Sequence, residues 1–415
     1  MKKKLLALAI AGACTAQTAM ADTANVTIYG VADVSFDSVD SGATSKPSAA
    51  AIAAGCVALT NCNGTRSSRI SSNTSLFGFK GDEDLGGGMK AIWQVESEID
   101  LDGTGANGAA PSSSFATRNS FAGLKSDSWG SLILGRHDTP YKTSDRRLDL
   151  FGNHIADNRA LMGGGAGRGS GDAKGFDKRA TETAVYNSPL MNGFKVLAAY
   201  VAGAENIANT TQTKGNIWSL AGTYDVAPFY GVLAYQGNDF GSSGTGTVVQ
   251  NTNGASANTS ERAWKVGGGY KVDQFAVNAI YEKTDDNFGG GAAAGTASNS
   301  ACTGVAAGGN CYGHRAFYMA GQYNITPDDA VKMAYTRVGN LQDGNLADTG
   351  ARHVSVGYDH KMSKRTNLYA TYTKLNNDRL AQYELKGEVA ATGNVFTNGA
   401  GASPSAFSLG MMHIF

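Results

Sequence analysis

Beyond residue 21 this 415-residue chain carries four cysteines in two close pairs, Cys56/Cys62 and Cys302/Cys311. Both pairs sit in Gly/Ala/Ser/Thr/Asn stretches, and in an oxidising compartment such pairs close into disulfides. Zinc is the competing reading of four cysteines, but neither pair has metal-ligand spacing and no histidine flanks them suitably. The six histidines, His137, His154, His314, His353, His360 and His413, form no ligand spacing and read as surface or rim residues. Neither HExxH nor GxSxG occurs. Gly103-x-Gly105-x-x-Gly108 matches the dinucleotide fingerprint by letters alone, because it opens no helix. No catalytic residue, metal or cofactor is therefore expected, and the chain does not read as an enzyme. Charge remains. Residues 138–178 hold Asp145, Asp149, Asp157 and Asp172 beside Arg146, Arg147, Arg159 and Arg168. In a narrow aqueous passage such charges sort solutes by field; on an open surface they are a solvated loop.

The elements that must position these groups follow from composition and period. Lys+Arg and Asp+Glu balance at 35 each, and no basic cluster points to nucleic acid as a partner. Gly is 55 residues without a three-residue period, which excludes collagen, and 9% aromatics are too many for disorder. Met1-Lys2-Lys3-Lys4 is a basic n-region, Leu5 to Ala13 a short apolar stretch, and Ala19-Met20-Ala21 a small-residue cleavage site. Residues 1–21 read as a signal peptide and 22–415 as one domain. A lipid anchor at Cys14 fits less well, since Leu is missing three positions before it. No later apolar run reaches 18 residues, so no membrane helix is expected.

The mature chain instead alternates with period two. Met89, Ala91, Trp93, Val95 and Ile99 share one face; Lys90, Gln94, Glu96 and Glu98 share the other. Val26, Ile28, Gly30 and Ala32 oppose Thr27, Tyr29 and Asp33 in the same way. Such alternation means strands between two different solvents. Sixteen segments begin near residues 25, 70, 89, 116, 131, 179, 194, 216, 229, 261, 275, 314, 330, 352, 366 and 405. Their connections alternate between short turns and long loops, the layout of an outer-membrane barrel. Backbone groups in hydrocarbon must all be paired, so the sheet must close. Sixteen strands are too many for side chains to fill the middle, and the interior becomes a water channel. A soluble sandwich or solenoid would alternate too. It would not require the long/short rhythm or the terminal strand, where Phe407, Leu409, Met411 and Phe415 share a face.

At Val26-Thr27-Ile28-Tyr29-Gly30, Gly78-Phe79-Lys80-Gly81-Asp82-Glu83-Asp84-Leu85-Gly86-Gly87-Gly88, Ala122-Gly123-Leu124-Lys125, Leu134-Gly135-Arg136 and the terminal Phe415 the chain resembles the trimeric general-diffusion porins of Gram-negative outer membranes. The resemblance implies an all-β, sixteen-stranded antiparallel transmembrane barrel. It implies short periplasmic turns, long outer loops, a homotrimer and a third loop, 138–178, folded inward. It further implies a constriction at which wall arginines face loop acids. Arg118 and Arg179 match two of those arginines; the third position falls on Leu76, a departure from the family's pattern. Glu96 matches the acid of the third strand. Arg136 at the loop root, and Asp149 and Asp157 within the loop, complete the expected set. The expected function is passive diffusion of small hydrophilic solutes and ions through the outer membrane, with lipid around the barrel. A substrate-specific channel, an adhesin and a structural barrel are the alternatives.

Overall fold

The computed structural model describes residues 25–42, 66–103, 115–163, 176–177, 179–202, 216–239, 241–242, 248–249, 260–285, 313–340, 347–379, 381, 383–385 and 401–415. The four paired cysteines, residues 1–21 and the Gly103–Gly108 motif beyond its first residue lie outside them. The described residues form a small two-stranded pairing, Gly241–Ser242 with Val248–Val249, and one large antiparallel sheet of seventeen hydrogen-bonded segments, two of which are halves of a single strand, so the wall has sixteen strands. In order these are β1 (Val26–Asp40), β2 (Arg66–Ser72 with Leu76–Gly86), β3 (Met89–Glu98), β4 (Ser120–Ser126), β5 (Gly130–Asp138), β6 (Arg179–Asn187), β7 (Phe194–Val201) and β8 (Asn216–Val226). Then come β9 (Phe229–Asp239), β10 (Ser260–Val272), β11 (Phe275–Asp285), β12 (Arg315–Asn324), β13 (Asp329–Val338), β14 (Ala351–Lys361), β15 (Thr366–Asn377) and β16 (Ser405–Ile414).

Each strand pairs with its neighbours in sequence, and β1 pairs with β16 from Val31↔Ile414 to Asp40↔Ser405. The sheet is therefore closed and has no free edge. At the seam Gly30 and Phe415 exchange backbone hydrogen bonds of 3.0 and 3.1 Å. A Cβ on Gly30 would lie 2.3 Å from the Phe415 ring, so only glycine lets the terminal aromatic close over β1.

The two faces of every strand meet different media. Leu134, Leu220, Leu233, Met333 and Leu409 point outward and are exposed, while Thr183, Gln236, Lys265, Glu282, Thr336 and Ser408 point inward. Aromatic pairs mark both ends of the outer band. Phe194–Tyr224, Phe229–Tyr270 and Phe275–Tyr323 lie at the short-turn rim, with ring centroids 4.7, 5.2 and 4.8 Å apart. Tyr200–Trp218 and Trp264–Tyr281 lie toward the long loops, at 4.4 and 5.4 Å. Two aromatic girdles flanking an apolar band are the imprint of a bilayer.

Expected strand starts lie within one residue of the observed ones, except near 70 and 116. β2 breaks at Asn73–Ser75, where Thr74 adopts φ 62°. Ser75 Oγ accepts from Asp33 N and donates to Asp33 O, filling the gap in the ladder. β4 starts late, yet Arg118 N still donates to Glu96 O, so the chain follows β3 before becoming regular.

Candidate functional site

Residues after β5 turn into the barrel. Pro140–Ser144 form a single helical turn, α1, whose N-cap Thr139 accepts from Lys142 N. Proline at the first helical position costs nothing, because that N–H would have no partner. From there the segment runs along the inner wall. Tyr141 N donates to Ser219 of β8, the Tyr230 hydroxyl of β9 donates to Ser144 O, and Asn278 of β11 donates to Leu148 O at 2.8 Å. Tyr318 of β12 accepts from Leu150 N, and His154 reaches Asp33 of β1 at 2.9 Å. Glycines seat this segment. A Cβ on Gly267 of β10 would lie 2.7 Å from Leu148, and one on Gly357 of β14 would lie 2.8 Å from Phe151. Part of the chain's glycine excess is thus a smooth wall on which the loop lies.

A buried charge knot fastens the loop. Lys265 of β10, its side chain 1% exposed, places Nζ 2.8 Å from Asp145, 3.5 Å from Asp177 and 4.0 Å from the Tyr141 ring centre. Glu282 of β11 accepts from Tyr141 Oη at 2.8 Å and from Gly163 N at 2.9 Å, and lies 3.6 Å from His314. Burial, opposed by Lys265 and reinforced by Asp177, pushes the Asp145 carboxyl up to about 6 from its ordinary 3.8. A carboxyl whose docked pKa exceeds its solvated one favours docking at low pH. That contribution is complete below 3.8 and is lost as pH rises to about 6. Loop excursions, read as open-channel current noise, should therefore be rarer at pH about 4 than at pH about 7. Asp145→Asn should remove its share of that difference; an unchanged profile would refute the role.

The expected loop acids turn away from the lumen. Asp149 and Asp157 have side chains 0% exposed and bind Arg146, Arg159, Asn158 N and Asn153 N. Burial and then neighbouring Asp157 push the Asp149 carboxyl up, against Arg146. The loop instead exposes arginine. Arg147 is 53% exposed, pairs with Asp225 at 2.5 Å and lies over the Tyr230 ring. Arg146 is 21% exposed.

The fastenings of the loop beyond its root named above run to β1 and to β8–β12, and the inner face of β2–β6 lies across the lumen from them. On it Arg118 Nε binds Glu96 at 2.7 Å, and Tyr29 donates to the same carboxylate at 3.0 Å. Arg179 binds Asp138 Oδ1 at 3.2 Å and Asn119 at 3.1 Å, and Lys142 reaches the same Asp138 oxygen at 3.0 Å. Arg179 therefore braces the loop root. Leu76 opposes Glu98 and Val31 in the ladders, on the inward face with Glu96. Arg136 differs from expectation. It follows Leu132 and Leu134 on the outward face, in a niche with Thr181, Glu182 and Tyr200. Thr181 and Glu182 form a bulge against it, with Glu182 at φ 53°.

Several interior residues were not anticipated. Arg69 lies inward on the outer half of β2 and binds Asp37 at 3.3 Å; the Asn73–Ser75 break is the signal that resets the face. His154 stacks on Tyr369 at 4.4 Å, and His314 and His353 are buried, so half of the histidines are interior rather than surface or rim groups.

A family model for Gram-negative porins matches residues 6–380. The chain belongs to the Gram-negative porin family. It is 26% identical over 421 residues to outer membrane porin protein 32 of Delftia acidovorans, covering 100% of both chains. Its fold is similar to that of an anion-selective porin from Comamonas acidovorans, with TM-score 0.66 and 22% identity over 94% of this chain and 99% of that one. It is also similar to OmpT of Vibrio cholerae in a trimer form, with TM-score 0.57 and 14% identity over 95% of this chain and 100% of that one. This porin is accordingly an outer-membrane β-barrel that forms a water-filled channel for small hydrophilic solutes and ions, not an enzyme.

Proposed function

We propose that solutes pass between loop 138–178 and the inner face of β2–β6, and that this passage favours anions. One observation carries the reading. The loop turns Asp149 and Asp157 into its own core and leaves the edge of Arg146 exposed, while Arg147 is matched by Asp225 and Glu96 on the opposite wall by Arg118. Low-dielectric walls focus the field of whatever charge stays uncovered. Leu76 and the Arg118–Glu96 pair line this route; Arg179 and Arg136 act beside it, at the loop root and on the outer face. The anion-selective relative of the same fold and the trimeric one support this reading and a homotrimeric assembly. Residues 1–21 are removed on export in the same reading, and the paired cysteines close as Cys56–Cys62 and Cys302–Cys311.

Planar-bilayer recording of the purified porin tests it. Stepwise ohmic conductance is expected, closing in three equal levels, with a zero-current potential of the anion sign under a salt gradient. A cation-sign potential would overturn the selectivity, and single-level closure would overturn the trimer.

A further inference from the structure

The short-turn end of the barrel, its periplasmic mouth, carries a pocket on the inner face of β12–β16. Two cross-strand rows share that face, Asn324–Ala330–Asp359 and Lys361–Asn367–Met412. With the turns after β12 and after β14 they enclose about 510 Å³. Small-ligand sites ordinarily span about 300–1,000 Å³.

The charges of this pocket divide between its two turns. Lys364 and Arg365 stand on the turn after β14, and Asp328 stands on the turn after β12. All three are exposed, and none makes an ion pair among the described residues. The turns are held side by side. Lys361 donates its backbone N–H to Asp328 O at 2.8 Å and its Nζ to Pro327 O at 3.4 Å. The neighbouring acids are engaged. Asp359 binds Lys332 at 2.9 Å, and Asp329 accepts from Thr326 at 2.6 Å and lies 2.8 Å from His360. Between the turns, Gln322 Nε2 donates to Asn324 Oδ1 at 2.8 Å. That bond leaves the Gln322 oxygen to accept and the Asn324 nitrogen to donate. Met412 and Ile414 add apolar surface.

Opposite charges that share a pocket without neutralising each other suit a guest that carries both. A simple anion would satisfy the cations and face Asp328 across the pocket; a simple cation would meet the reverse. We infer that this pocket binds small zwitterions, the chemistry of a free amino acid or of a short peptide with both ends free. The carboxylate lies on Lys364 and Arg365, whose guanidinium fork matches it, and the ammonium lies on Asp328. The inference stands apart from the ion preference proposed above, because it is read by binding rather than by current.

The test is saturation-transfer NMR of alanine and trialanine with the purified porin in detergent micelles. N-acetyl-trialanine, which lacks the ammonium, and trialanine amide, which lacks the carboxylate, serve as the blocked forms. Trialanine should bind roughly three- to fivefold more tightly than either blocked form, as expected for one partly solvated ion pair. Lys364→Gln with Arg365→Gln should bring trialanine down to the level of its amide, and Asp328→Asn should bring it down to the level of its acetylated form. Tighter binding of alanine would assign the pocket to free amino acids, and tighter binding of trialanine to peptides. Equal binding of trialanine and both blocked forms would overturn the inference, and that comparison needs no variant. So would folded variants that keep the wild-type discrimination. Acetylated trialanine binding as tightly as the free form would make this an anion site and overturn the role of Asp328.

Discussion

Lys265→Met should free loop 138–178 from its wall and turn a quiet channel into a noisy one of higher mean conductance. The ammonium is 1% exposed and is the cation between Asp145 and Asp177, with Glu282 in the same cluster. Removing one partner of a buried ionic cluster strands the others, at a cost of about 3–5 kcal/mol. By population arithmetic that raises the undocked fraction by roughly two to four orders of magnitude. Tyr318, Asn278 and the Leu148 saddle still hold the middle of the loop, so the end near α1 should release first. Neutralising the stranded acids tests the cause. Lys265→Met with Asp145→Asn and Asp177→Asn should be quieter than Lys265→Met alone, since the penalty comes from unpaired charge rather than from lost shape. If the single variant shows wild-type noise and conductance, the knot does not fasten the loop.

The second large effect is on ion preference. Arg118→Ala uncovers Glu96, which Arg118 holds at 2.7 Å, and should move the zero-current potential toward cations. Two unit charges at ~4 Å interact by about 4 kcal/mol at an effective dielectric of ~20, so one charge at a narrow ring changes permeability ratios severalfold. Glu96→Gln should move the potential the other way. Leu76→Arg should also shift it toward anions, but less, because the new guanidinium stands opposite Glu98 in the ladder. Arg179→Ala should shift it least, since Lys142 still neutralises Asp138. All shifts should shrink at high salt, as the Debye length falls from ~10 Å at ~0.1 M to ~3 Å at ~1 M. Zero-current potentials at low and high mean salt read all four. No shift with Arg118→Ala at low salt would remove that residue from the passage.

The barrel was legible because a strand between lipid and water has to write both solvents into alternate residues. Strand starts could therefore be placed almost to the residue. Where the ladder slips, alternation no longer tells inside from outside. β2 resets at Asn73–Ser75, and so Arg69 was overlooked. Arg136 is the opposite case: counting from Leu132 and Leu134 already puts it outside, and its place at the loop root misled. The loop itself carries no period. Which of its charges face water depends on partners distant in sequence: Lys265 and Glu282 lie more than 100 residues from Tyr141 and Asp145. Composition shows that acids and arginines are both present, but not that Asp149 and Asp157 fold inward while Arg147 stays out. The glycines that seat Leu148 and Phe151 are likewise silent in sequence, because a missing side chain has no pattern of its own.

The seam between Gly30 and Phe415 also decides when this protein can exist. Val31 and Ile414, neighbours in the ladder, lie almost a whole chain apart, so the contact that removes the last free edge is the one with the largest loop-closure cost. Until β16 arrives, the facing edge of β1 offers a row of unsatisfied N–H and C=O groups to any other strand. Losing the whole of β16 would not merely remove one stave of sixteen; it would leave an open sheet, ready to pair with its own copies. Assembly is thus all or nothing, and the interval between synthesis and closure is when the chain is most exposed to aggregation.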